Sequence, residues 1–200
     1  MNIFILDTDP AIAAQMMCDK HIPKMIVESA QMLSTVHRML DGDKTTRKSK
    51  SGKRMVPYYD LSDIDPEAEL VYMKAVHFGH PCTKWTMESS ANYEWHWEHL
   101  YALCKEYTYR YATEKEPHKD TKVERERLWP LKSLPRNIPK RKITPFAQAM
   151  SHYPMCKHEN PVQAYRNYYH AAKPFAKWEK GRVAPYWWEG FKGADVYVTE

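Results

Sequence analysis

Glycine is scarce, with six residues in 200 against fourteen prolines, and neither GxGxxG nor GxxxxGK followed by Ser or Thr occurs. A glycine-rich loop cradling a nucleotide phosphate is therefore excluded, and with it the Rossmann and P-loop readings. The four cysteines, Cys18, Cys82, Cys104 and Cys156, lie far apart with no CxxC pair. That spacing gives no disulfide framework and no ribbon-type zinc site, and reduced, mostly buried thiols are expected. No apolar run approaches the ~18–20 residues that cross a bilayer. The opening Met1 to Asp7 lacks the basic start of a secretory leader, so a cytoplasmic protein without a membrane partner is expected. No repeat is visible, and the one compositionally biased stretch is Lys44 to Arg54.

Hydrophobic residues make up 43% of the chain and aromatics 13%, enough for one core, so a single domain over residues 1–200 is expected. Lys and Arg exceed Asp and Glu by 30 to 25, which favours a polyanionic partner.

A strand-like run, Ile3 to Leu6, precedes Asp9-Pro10, an N-cap followed by proline at the first helical position. The pattern predicts a helix to about Lys20, then Pro23 as a kink or as the start of a second helix reaching Leu40. Along that helix Lys24, Glu28, Gln31, Thr35 and Arg38 mark a polar face opposite Ile26, Leu33, Val36 and Leu40. Residues 42–57 read as a mobile basic loop with six Lys or Arg in eleven positions. A helix is predicted from Pro66 to Phe78, stopping at Gly79, and one or two long helices from Thr83 to Tyr111. Within the latter, Tyr93, Trp97, Leu100, Cys104, Tyr107 and Tyr111 form a core stripe, and Asn92, His96, His99, Glu106 and Arg110 a polar one. Residues 115–145 read as a basic irregular connector, Pro161 to Ala172 as a last helix, and residues 174–200 as an aromatic tail. The fold class is mainly α, a compact helical domain with a short strand-like start.

Cations and aromatic side chains together suit phosphate backbone and unstacked bases. His21, Lys24, Glu28 and Gln31 recur at steps of three, four and three, placing a base, a cation and a carboxylate on one helix face. Such a set can exchange protons, supply an amine and activate water. The same spacing also describes an ordinary surface ion pair between Lys24 and Glu28. Trp95 and Trp97 beside His96 and His99 could stack on a flipped base or pack a helix on both sides. The Cys and His spacings match no closed metal site, and neither metal nor cofactor is called for.

Leu6-Asp7-Thr8-Asp9-Pro10, Cys18-Asp19-Lys20-His21, Lys24-Met25 to Glu28, His80-Pro81-Cys82-Thr83-Lys84-Trp85 and Tyr165-Arg166-Asn167-Tyr168-Tyr169 resemble a family of small phage proteins. More distantly, the layout is similar to that of pyrimidine dimer DNA glycosylases, the endonuclease V type of T-even phages. The resemblance implies a compact helical fold in the cytoplasm of an infected bacterium and double-stranded DNA as partner. In that family an N-terminal amine exposed by Met removal attacks the sugar carbon, a Glu within Arg-Glu-Leu-Pro-Arg supports the chemistry, and the Arg residues contact phosphates. Lys20-His21-Ile22-Pro23-Lys24 echoes that stretch, with His21 standing where the family has Glu, and Asn2 is a residue behind which the initiator Met is usually kept.

The expectation is a DNA-binding enzyme that flips a pyrimidine and cleaves its glycosidic bond. Lys24 or the N-terminal amine is the nucleophile, Glu28 the base or electrostatic partner, and His21 the proton donor. Lys20, Arg47, Lys48, Lys53 and Arg54 hold phosphates, Trp95 or Trp97 stacks on the base, and Gln31, Asn92, His99 and Arg110 complete the DNA contacts. Two alternatives are a transferase attaching a small group to a 5-hydroxymethylpyrimidine and a non-catalytic DNA-binding accessory protein.

Overall fold

In the computed structural model, which describes residues 1–198, Asp9 caps α1 (Pro10–Met16): its carboxylate accepts from the N–H groups of Ala11 and Ile12 at 2.8 and 3.0 Å. The helix stops at Met16, short of the expected Lys20, because Met17 turns extended and Asp19 is drawn into an ion pair with Arg110. The next helix, α2 (His21–Asp41), starts two residues before Pro23. Proline at the third helical position neither kinks the helix nor opens it, since an N–H there has no intrahelical acceptor.

One side of α2 buries Ile22, Met25, Ile26, Ala30, Leu33 and Val36. The expected polar face does not stay in solvent along its whole length. Lys24, Glu28 and Gln31 keep exposure, but Thr35 and Arg38 are buried. The Arg38 guanidinium donates to the carbonyls of Tyr59, Glu69, Tyr72 and Met73 and to the Glu69 carboxylate, fastening two separate segments, around Tyr59 and over residues 69–73, to α2.

The expected basic loop is a hairpin. Strand β1 (Asp43–Lys48) pairs antiparallel with β2 (Met55–Asp60), from Asp43 opposite Asp60 to Lys48 opposite Met55. Thr45, Thr46, Val56 and Tyr58 are strand formers, and Gly52 at φ +71° makes the turn. Helix α3 (Pro66–Val71) ends seven residues before the expected Phe78. Arg38 captures the carbonyls that follow, which holds the chain extended.

Ser89 splits the next helical stretch into α4 (Pro81–Glu88) and α5 (Ser90–Tyr111): its backbone is extended and its hydroxyl accepts from Asn92 N–H. Both stripes of α5 face protein. Tyr93, Leu100 and Cys104 are fully buried, but so are Asn92, His96 and His99, and Glu106 and Arg110 are nearly so. The connector holds one short α-helix, α6 (Lys122–Glu126), and a single 3-10 turn, Pro130–Lys132, and its irregular part is anchored by buried Leu128, Leu131 and Ile138. The last helix, α7 (Pro161–Ala172), runs as expected, and the tail packs Trp178, Trp187 and Trp188 around Tyr169 and His170.

The fold is mainly α, with one two-stranded sheet among the described residues. All four cysteines are buried and unpaired. No described helix is long and apolar enough to cross a membrane. Residues 3–6 are buried but have no strand partner among the described residues, correcting the strand-like reading. The Asn2 carboxamide pins them instead, donating to Ala149 C=O and accepting from Ile3 and Phe4 N–H.

Candidate functional site

Pinning the first residues sets the Met1 amine against α2. Its nitrogen lies 3.6 Å from Glu28 Oε2, and the same oxygen accepts Asn2 N–H at 3.1 Å. Lys24 Nζ approaches the other carboxylate oxygen at 3.7 Å. Lys24 is 63% exposed and Glu28 15%, so the carboxylate sits inside and the lysine at the rim. These groups line a cavity of about 570 Å³ formed by the N-terminal segment, the start of α2, His80-Pro81, residues 148–152 and the end of α7. Its charged lining comprises the Met1 amine, Lys24, Lys157 and Lys173 against Glu28, the one carboxylate among the described lining residues.

Three expected residues, His21, Lys24 and Glu28, therefore meet in one cavity. The motif echo would put a carboxylate at position 21, whereas the carboxylate that lines the cavity is Glu28, about two turns further along α2. His21 is buried, stacks on Phe4 with ring centroids 4.4 Å apart and bonds through Nδ1 to the Tyr169 hydroxyl. Burial first, then the charges of Lys173 and Lys24, push its pKa down to about 3, so it is neutral near pH 7. That corrects its reading as the proton donor. His80 is also held below the usual imidazole value, by burial and then by the Met1 amine, while its Nδ1 accepts from Cys82 N–H to cap α4.

Lys173 was missed in the sequence. It follows α7, where its backbone N–H donates to Tyr169 C=O, and its ammonium lies over the rings of Tyr168 and Phe4, 4.3 and 5.3 Å from their centroids. It is half-buried, and burial, then Lys24, lowers its pKa from the usual lysine value. A lone lysine after a helix carries no periodic signal. Phe4 does carry one in the backbone: φ +58° is a left-handed conformation that a phenylalanine adopts only under constraint.

The other expected residues are not brought to the cavity. Lys20 is exposed, with Nζ 5.3 Å from the ring centroid of Phe175, itself a lining residue. Gln31 lies further along α2 and outside the lining. Arg47 is tied to Asp60 and lies over Tyr58, whereas Lys48, Lys53 and Arg54 stand exposed on the hairpin. Asn92 spends its carboxamide on Trp85 C=O and Thr144. Trp95 is buried against Trp85, Phe146 and His99 and donates to Thr8 C=O. Trp97 packs on Tyr101 and Trp129 and donates to Leu128 C=O. Neither indole lines the cavity, and both are packed against other rings with their N–H groups used inside the protein. His99 is wholly buried, with no hydrogen-bond partner on either ring nitrogen among the described residues. Arg110 is clamped by Asp19, Glu106 and the carbonyls of Gln15 and Met17, an internal tie with no face for DNA.

An amine beside a carboxylate can attack an electrophilic carbon while the carboxylate takes up the released proton. An excess of cations around them favours a phosphorylated ligand. No group of three or more His, Cys, Asp or Glu with metal-binding geometry occurs among the described residues. Comparison with protein-family models, with curated proteins and with solved structures gives no match.

Proposed function

We propose that the protein acts on a pyrimidine nucleotide drawn out of DNA, the Met1 α-amine displacing the base from deoxyribose C1′ with Glu28 as proton acceptor. One observation carries this reading: the 3.6 Å approach of the Met1 amine to Glu28 in the wall of a cation-lined cavity large enough for a nucleotide. A nucleophilic amine must be uncharged, and an α-amine is intrinsically a weaker base than a lysine side chain. Lys24, exposed at the rim, suits a phosphate flanking the extruded nucleotide better than a bond to its sugar.

In the reaction the amine nitrogen bonds to C1′ as the C1′–base bond breaks, the base leaving with the electron pair. The nitrogen sheds a proton to Glu28, which returns it to O4′ as the sugar ring opens to an imine. Water hydrolyses the imine to an abasic aldehyde and restores the amine.

Duplexes carrying a thymine dimer, 5-hydroxymethyluracil, an abasic site or plain thymine are incubated with the protein, with and without borohydride, and both are read by mass spectrometry. The expected result is a reduced adduct mapping to Met1. An adduct on Lys24 reassigns the nucleophile. No adduct on any duplex overturns the reading, and a mass gain on DNA in phage-infected extract then points to a transferase.

A further inference from the structure

A base that leaves from C1′ departs with an electron pair and needs a proton, and His21, buried and bonded to the Tyr169 hydroxyl, is held in its neutral form, a weak acid. We infer that Lys173 is the proton donor to the departing base, acting from the cavity wall over Phe4 and Tyr168. The inference rests on the base-releasing reading of the same cavity.

Three features single out this ammonium from the cavity's other cations. The Met1 amine and Lys24 are both engaged by Glu28, whereas Lys173 has no ion-pair partner among the described residues. It is half-buried where Lys24 and Lys157 are exposed. Its ammonium also lies 4.3 and 5.3 Å from two aromatic ring centroids, its backbone is tied to the end of α7, and it lines the cavity with no side-chain hydrogen-bond acceptor among the described residues. Phe4, one of those two rings, is held in a left-handed backbone conformation, and strain of that kind collects at sites whose geometry matters.

The groups that act on Lys173 come from three directions. Lys24 on α2 disfavours its charge and Glu28 on the same helix favours it; Cys18 lies between α1 and α2; Tyr168 belongs to α7. Burial is the largest influence and, with Lys24, lowers the pKa from the usual lysine value, which makes the ammonium a readier acid. In the step itself one N–H proton of Lys173 passes to the base as the C1′ bond breaks. Lys173 is left uncharged and is reprotonated from solvent after the base departs.

Lys173→Arg separates a proton donor from a phosphate anchor, because arginine keeps the charge but does not release a proton in proteins. Base release from the substrate found above, borohydride trapping at a preformed abasic site, DNA affinity and thermal midpoint are measured for the wild type, Lys173→Arg and Lys173→Met. Both variants are expected to release base ~10²–10⁴-fold more slowly, to trap on abasic DNA as the wild type does, since no base has to leave, and, for Lys173→Arg, to bind DNA unchanged. Normal base release by Lys173→Arg with wild-type trapping overturns the inference and leaves the α-amine reading standing. Loss of trapping in the wild type itself removes both. If Lys173→Arg fails to fold, the lysine titration is read directly by NMR of isotope-labelled wild-type protein. A Lys173 midpoint equal to that of the exposed lysines overturns the inference.

Discussion

Glu28 holds two amines and one backbone N–H with a single carboxylate, so its charge, more than its shape, organises the cavity. Glu28→Gln keeps the volume and removes the charge. Borohydride trapping at an abasic site is expected to fall at least ~10²-fold, with the thermal midpoint nearly unchanged because the residue lies at a cavity wall. Trapping at the wild-type rate would show that the carboxylate takes no proton. His99 gives the opposite kind of prediction. Both its ring nitrogens are buried without a partner, a state that costs about 1–3 kcal/mol for an unsatisfied polar group. His99→Leu keeps an apolar side chain against Trp95 and is expected to raise stability by about 1 kcal/mol, read from urea unfolding. A fall in stability would mean that a partner such as a bound water satisfies the ring.

The hairpin formed by β1 and β2 carries its cations away from the protein: Lys48, Lys53 and Arg54 have no ion pair among the described residues, whereas Arg47 is spent on Asp60. If each of the three neutralises one phosphate, changing them together to Ser lowers the slope of log K against log salt by about 2.7, at ~0.9 per phosphate. Trapping at saturating DNA is expected to stay the same. An unchanged slope would place the DNA elsewhere. The helices were legible where a cap or a period spoke for itself: Asp9-Pro10 starts α1 and the Pro161 to Ala172 helix falls where expected. The ends of α1 and α3 were not, because a buried arginine, Arg110 or Arg38, captures the chain from far away in sequence. The hairpin was hidden because six cations in eleven positions look like solvent-facing loop until the Thr and Tyr alternation beneath them is weighed. On α5 polarity misled in the other direction, since Asn92, His96 and Arg110 are polar groups used inside the core. The cavity was half legible: the α2 spacing brought Lys24 and Glu28 together and the family resemblance added the N-terminal amine, but nothing in a linear pattern joins Lys173 to them.

Across the whole molecule, four of the five buried histidines, His21, His37, His96 and His99, make folding sensitive to mild acid. Burial lowers the pKa of His21 and His99 to about 3 and that of His37 to about 4, and pushes His96 well down as well. His37 stays low although Asp41 and Asp65 pull the other way. In the unfolded chain each titrates near its ordinary value of 6.5, so below that pH the unfolded state binds protons that the folded state refuses. Stability therefore has its full value above pH 6.5 and falls as the pH drops toward the folded values near 3 to 4. Each histidine adds a slope of about 1.4 kcal/mol per pH unit once it is well below 6.5. A domain of this kind is stable by about 5–15 kcal/mol, so the four together remove a large part of that stability before the carboxylates titrate. Urea midpoints taken from pH 8 down to pH 5 are expected to be flat at first and then to fall steeply, with one proton fewer in the slope for His99→Leu. A midpoint that holds or rises down to pH 5 would mean that these imidazoles are charged in the folded protein, with acceptors or water around them that a dry core does not provide.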